Sequence, residues 1–324
     1  MTERARHGLA PTAPVRLRRP DPDRDFDEVL ALVQACDRAV YGGSDWTAEE
    51  LREEWEGLDL ERDAWVAVAD GRIAGVMHRY ERRGGRVLAD GYVHPELTGR
   101  GVGARLLEAV EGRAHELADE APAGERVTVE TAHLVGDPRA PKLLACRGYE
   151  RVRTFFRMVT HLEQEPPAPE WPPGLELRPL DAVRDGPQVQ AAVDEAFAHE
   201  WGYERRPYDD WFEKVLGWQR FDPDLCPVVW DGDELAAISI NYPKRMGDWG
   251  WVGTLAVRPA WRRRGLGLAL LHESFRRFHA RGERVVALGV DAENPTGATR
   301  LYERAGMGVV WRADVWQKEI RAGG

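Results

Sequence analysis

Arg262-Arg263-Arg264-Gly265-Leu266-Gly267 is the stretch of this chain whose residue types and spacing most directly suggest chemistry. Glycines between a strand and a helix let backbone approach a ligand closely, and the first-turn amides of a helix have no intrahelical acceptor. Those amides and the helix dipole form an anion site suited to phosphate, and flanking arginines add charge-assisted hydrogen bonds. No Lys-Ser/Thr follows the glycines, which excludes a Walker loop, and the third glycine of the dinucleotide fingerprint is absent. His272 and His279 share a helix with no third ligand nearby, and Cys36, Cys146 and Cys226 form no C-x-x-C pair. No metal is therefore expected.

The run resembles the acyl-CoA loop Q/R-x-x-G-x-G/A of the GNAT superfamily of N-acetyltransferases, with Arg262, Gly265 and Gly267 at its three fixed positions. Downstream, Asn294, Leu301, Tyr302, Gly306 and Met307 fit that family's second signature, N-x-x-A-x-x-L-Y-x-x-x-G-F/M. The resemblance implies an acetyl-CoA-dependent acetyltransferase in which a small-molecule primary amine attacks the thioester directly in a ternary complex. It assigns Leu255, Ala256, Val257, Arg262, Arg263, Arg264, Gly265, Leu266, Gly267, Leu268 and Asn294 to the acyl donor. A backbone N–H of Ala256 or Val257 would polarise the carbonyl, and Tyr302 would be the general acid. The strand Gly250–Leu255 carries no acid, so the base falls to Glu200, His199 or Asp248, with Glu200 the candidate retained. Aromatic residues crowd 200–218, and Trp201, Tyr203, Tyr208 and Trp211 either wall an acceptor pocket or fill a core. The acceptor class stays open between a mycothiol precursor, an antibiotic or polyamine amine, and a protein N-terminus. A catalytically silent, CoA-binding regulatory protein is the alternative.

The elements that must position these residues occur twice. Val15-Arg16-Leu17-Arg18 recurs as Leu175-Glu176-Leu177-Arg178, Val93-His94-Pro95 as Val257-Arg258-Pro259, Gly101-Val102-Gly103 as Gly265-Leu266-Gly267, and Arg147-Gly148-Tyr149 as Ala305-Gly306-Met307. The order is kept and the offsets stay between 158 and 164, which indicates a duplicated domain. In each copy an Asp-Gly turn joins two apolar runs (Asp70-Gly71 and Asp231-Gly232), a hairpin signal, and a strand–turn–helix unit follows. The expected fold is α/β: two tandem GNAT-like domains, each with a mixed, mostly antiparallel sheet flanked by helices. The Pro-rich segment 163–174 reads as an extended linker, separating an N-terminal domain at 15–162 from a C-terminal one at 175–324 behind a flexible stretch at 1–14. The first copy is degenerate. Thr98 stands where the loop's Arg belongs, Leu144 where Tyr302 would be, and no Asn matches Asn294. Tyr92, Val93, Arg100, Gly101 and Gly103 remain as its candidate contacts to a CoA-like ligand.

With 324 residues, 43% apolar and 31% charged, the chain can bury two cores. Its 45 Lys+Arg against 55 Asp+Glu give −10, which argues against nucleic-acid binding and favours a cationic amine as acceptor. No apolar run approaches the ~20 residues of a membrane span, nor does the N-terminus read as a signal peptide. A cytoplasmic monomer or homodimer is expected.

Overall fold

A computed structural model describes residues 14–44, 46–245 and 248–324. The expected flexible stretch at 1–14 thus lies, but for Pro14, outside the described residues. The chain resolves into two compact units, Met1–Val152 with Ala313–Gly324, and Arg153–Arg312.

The first unit runs β1 (Arg16–Arg18), α1 (Pro22–Tyr41), α2 (Ala48–Glu56), α3 (Leu60–Asp63), β2 (Ala64–Ala69), β3 (Arg72–Arg83), β4 (Arg86–Val93), α4 (Val102–Glu120), β5 (Val127–Leu134) and α5 (Arg139–Cys146). Asp70 and Gly71 both adopt positive φ (53° and 80°), the backbone a tight hairpin between β2 and β3 requires. β4 and β5 are parallel, while β1–β2, β2–β3 and β3–β4 are antiparallel. Val29, Leu32 and Val33 of α1 bury one face of the sheet together with Leu51 and Trp55 of α2. Leu106, Leu107, Val110 and Ala114 of α4 bury the other.

The chain continues through β6 (Glu150–His161), β7 (Glu176–Arg178), α6 (Ala182–Phe197), α7 (Tyr208–Val215), β8 (Val228–Asp231), β9 (Glu234–Arg245), β10 (Trp249–Val257), α8 (Leu266–Ala280), β11 (Val285–Asp291), α9 (Ala298–Arg304) and β12 (Gly308–Arg321). In the second unit the strand order is β7-β8-β9-β10-β11-β6, with only β10 and β11 parallel. Val286, Leu288 and Val290 alternate inward against Leu271, Phe275 and Phe278 of α8. The opposite face is covered by α6 and α7 through Val189, Val193 and Trp211. The duplication extends to the first helix of each unit: Asp21 and Asp181 are the N-caps, and their own amides donate to Asp25 and Asp185 one turn on.

The division expected at 163–174 falls elsewhere, because each unit takes its last strand from the far end of the chain. Residues 155–161 of β6 pair antiparallel with β11 in the second unit, and residues 313–321 of β12 pair with β5 in the first. Trp316 and Ile320 pack on the first unit's core, while Met158 is fully buried in the second's. The Pro-rich segment is not a free spacer either. Glu165 pairs with Arg276 of α8 at 2.6 Å, and Trp171 packs on Trp261, Leu266 and Leu270.

Candidate functional site

The site of the second unit grows from two local features. First, β10 and β11 pair only at Gly250–Val286 and Trp251–Ala287, although the strands run on to Val257 and Asp291. Beyond Trp251 they part, leaving one edge of β10 open. Arg258 N–H donates to Ala236 of β9, and amides alternate sides along an antiparallel strand, so Ala256 also points at β9. The amides of Leu255 and Val257 face the open edge. Of the two oxyanion donors considered, Val257 therefore meets the geometry and Ala256 does not.

Second, the turn after β10 ends on Gly265 in the left-handed region (φ 85°), where a side chain is strained, and α8 starts at Leu266. Leu268 and Ala269 donate back to the Gly265 carbonyl, and the amides just ahead of them lie free of intrahelical acceptors. Gly267 faces α9: a Cβ there would come 2.9 Å from Leu301. Arg263 and Arg264 are exposed beside the turn. Arg262 differs from them, since its guanidinium donates to the carbonyls of Val257 (3.0 Å) and Ala196 (2.8 Å). It ties the loop to the end of α6, which leaves the backbone amides and its two exposed neighbours as the groups able to meet an anion.

These features open into one cleft of about 600 Å³ lined by Phe197, Glu200, Leu255, Val257, Arg262, Arg263, residues 265–268 and 294–298, Leu301 and Tyr302. Glu200 and Asn294, which lie 94 positions apart, meet here. Asn294 Nδ2 donates to Glu200 Oε2 at 2.9 Å, and its Oδ1 accepts from the Thr296 amide at 2.8 Å, which fixes the side-chain orientation. Burial raises the Glu200 carboxyl above its ordinary range, opposed by the Asn294 hydrogen bond. Burial and the Glu200 charge push the Tyr302 phenol up to about 12, so it stays protonated at neutral pH. An acid that keeps its proton and a carboxylate poised to take one share a single cleft. His199 and Asp248, the other bases considered, are exposed.

The aromatic segment resolves mostly as core. Trp211 is 6% exposed among Val189, Trp230 and Ile238, and Tyr208 packs on Trp211 and Phe212. Tyr203 donates its hydroxyl to Asp194 at 2.5 Å. None of these three lines the cleft, because the α6–α7 face needs them to cover β8 and β9. Trp201, next to Glu200, instead faces Phe155, with the Arg153 guanidinium 5.6 Å from its ring. Phe197 and Arg304, to which the sequence assigned no role, also lie on the cleft wall.

In the first unit, β4 and β5 part after Ala89–Thr131, and Gly101 (φ 81°) opens α4. Gly103 packs against Leu143 as Gly267 does against Leu301. Arg100, however, is paired with Asp70, and the Val93 carbonyl accepts from the Cys36 thiol at 3.3 Å. Tyr92 accepts a hydrogen bond from Trp46 and packs with the α1–α2 core.

This twice-built, splayed α/β architecture with a glycine turn at each helix start is that of the acetyltransferases of the GNAT family, and the chain belongs to it. Residues 189–307 match the acetyltransferase (GNAT) family and residues 34–133 an acetyltransferase (GNAT) domain. The chain is 32% identical to a mycothiol acetyltransferase of Geodermatophilus obscurus over 88% of its own length and 92% of the relative's. It is 34% identical to that of Thermobispora bispora over 69% and 72%. Among solved structures, a GCN5-related N-acetyltransferase from Sphaerobacter thermophilus is 36% identical with a TM-score of 0.86, covering 96% of this chain and 97% of that one. A tandem GNAT protein from the clavulanic acid biosynthesis pathway shares the fold at 16% identity and a TM-score of 0.71, over 96% and 100%. The protein is an acetyltransferase with two GNAT domains. No helix among the described residues is long and apolar enough to cross a membrane.

Proposed function

We propose that the second unit transfers acetyl from acetyl-CoA to the primary amine of a small molecule, and that Glu200 and Tyr302 move the protons. The meeting of Glu200, Asn294 and Tyr302 on the wall that also holds the glycine turn carries this reading. The residues suit the donor: the turn's amides, with Arg263 and Arg264, complement a pyrophosphate, and the open edge of β10 at Leu255–Val257 complements an extended amide arm. Acetyl-CoA supplies the thioester. The Val257 N–H is the donor placed to polarise its carbonyl. Glu200, held by Asn294, takes a proton from the incoming ammonium, directly or through water, and Tyr302 gives its proton to the departing thiolate.

Among the acceptors we put the amine of a mycothiol precursor first, a ranking supported by the 29–34% identity to mycothiol acetyltransferases. Antibiotic and polyamine amines and a protein N-terminus complete the panel. Acetyl-CoA turnover across that panel tests the proposal, comparing wild type with Tyr302→Phe and Glu200→Gln. Acetylation of one amine, lost or strongly slowed in both variants, is the expected result. CoA binding without acetylation of any amine overturns it in favour of a regulatory module.

A further inference from the structure

We propose that Arg262 is a positioning residue: its guanidinium clasps the last turn of α6 to the end of β10, holding the base, the carbonyl donor and the glycine turn in one frame. The proposal rests on the reading of Glu200 as base and of the Val257 N–H as donor to the thioester carbonyl. Arg262 is half-buried, whereas Arg263 and Arg264 are exposed. Its Nε donates to the Val257 carbonyl at 3.0 Å and its Nη2 to the Ala196 carbonyl at 2.8 Å. The first carbonyl belongs to the residue whose amide faces the open edge of β10. The second is among the final carbonyls of α6, which lack intrahelical donors and form the negative end of the helix dipole, where a cation is favourable. Glu200 hangs from that same turn, its amide donating to the Phe197 carbonyl at 2.8 Å. Arg258, just past β10, grips the turn a second time: its Nε donates to Glu195 at 2.5 Å and its Nη1 to the Leu235 carbonyl at 3.2 Å.

The first unit makes the same joint without its loop. Counted from the N-caps Asp21 and Asp181, Cys36 of α1 is the counterpart of Ala196, and Val93 that of Val257. The Cys36 thiol donates to the Val93 carbonyl at 3.3 Å, so helix and strand are joined directly. Thr98, at the place of Arg262, bonds locally instead: its hydroxyl donates to the Pro95 carbonyl at 3.1 Å and accepts from Arg139. On the same count Val40 stands where the second unit has Glu200. The arginine and the carboxylate therefore occur together in one copy and are both missing from the other. The clasp also has an electrostatic side. Burial raises the Glu200 carboxyl, and the Asp291 charge of β11 acts in the same direction; the Asn294 hydrogen bond and the charges of Arg262 and of Arg153 on β6 oppose them. Tyr302 of α9 also faces this carboxyl.

Three readouts on the full chain test this, the first two independent of the acceptor. They are titration with CoA, the pH titration of Glu200 followed by carboxyl NMR of isotopically labelled glutamate (its signal identified by loss in Glu200→Gln), and kcat with the panel amine acetylated fastest. Arg262→Thr installs the residue of the first copy. The Glu200 titration should move to higher pH and kcat should fall about tenfold or more, while CoA affinity changes less than about threefold. Arg262→Lys keeps the charge and has donors for both carbonyls, so it should bring back the titration and most of kcat. A loss of CoA affinity of about tenfold with the Glu200 titration unmoved assigns the guanidinium to the donor's phosphates and overturns the proposal. An unmoved titration with wild-type kcat also overturns it. Should Arg262→Thr fail to fold, Arg262→Gln, which keeps a donor for one carbonyl and no charge, must show the same shift at preserved CoA affinity, and its absence refutes the clasp. Glu200→Gln separates the proposal from the reading beneath it. Wild-type kcat in Glu200→Gln overturns that reading and the clasp with it, whereas a slow Glu200→Gln beside an Arg262→Thr of wild-type kcat overturns the clasp alone.

Discussion

The proposed mechanism gives Glu200 and Tyr302 opposite tasks, and their surroundings differ accordingly. Tyr302→Phe removes the proton donor without touching the glycine turn, so kcat should fall about 10²–10⁴-fold while CoA affinity, measured by titration, is preserved. Glu200 must be ionised to act as a base, and its pKa is raised, so activity should fall as pH drops through a point above the usual carboxylate range. Asn294→Ala deletes the hydrogen bond that opposes this rise, and the acidic limb of the pH–rate profile should move to higher pH. The first unit allows a stability test. The folded pKa of Glu54 exceeds its unfolded value, so the folded state binds the extra proton between pH 4.5 and about 8, and stability declines with pH across that window. Depressed His78 acts in the opposite sense, but only between about 4 and 6.5. From pH 6.5 to 8 the first unit should therefore lose up to ~2 kcal/mol, and Glu54→Gln should flatten the melting temperature across that interval. Asn294 and Tyr302 could be picked out in the sequence because the second signature of the resemblance is confined to one short stretch, 294–307. Glu200 was one of three bases considered, and only the fold sets it apart from exposed His199 and Asp248.

At the level of elements, hairpins and turns were readable because their backbone angles demand particular residues: Asp70-Gly71 and Gly265 sit at positive φ, as the sequence implies. Gly265→Val should strain the start of α8 and close the amide cradle, weakening CoA binding at least tenfold by titration. Gly267→Val acts differently. Its side chain would press on Leu301, displacing α9 and with it Tyr302, so kcat should drop further than CoA affinity. What could not be read was the ownership of strands. β6 and β12 each close a copy of the same sheet with a similar mixture of polar and apolar residues, so either could complete either unit on composition alone. The aromatic residues of α6 and α7 were ambiguous for a related reason. Trp211 has the same composition signal in a pocket wall as in a core, and burial alone distinguishes them.

For the whole molecule, reciprocal use of the terminal strands makes the chain indivisible at its Pro-rich segment. A fragment ending at residue 162 lacks the β12 residues Trp316 and Ile320 that pack on the first core, and one starting at 175 lacks Met158. Expressed alone, each should be insoluble or molten, as judged by cooperative melting, whereas co-expression should recover acetyl-transfer activity. Truncation after Arg312 should unfold the first unit while Met158 and the strand pairing of the second remain in place. The same arrangement sets a clock on synthesis. Val127 leaves the ribosome well before its partner Arg321 is made. Until then the open flank of β5 is a bare strand edge over an incomplete core, prone to wrong pairing. The second unit already has β6 in hand when its own strands appear, so the half that is made last can be the first to finish folding.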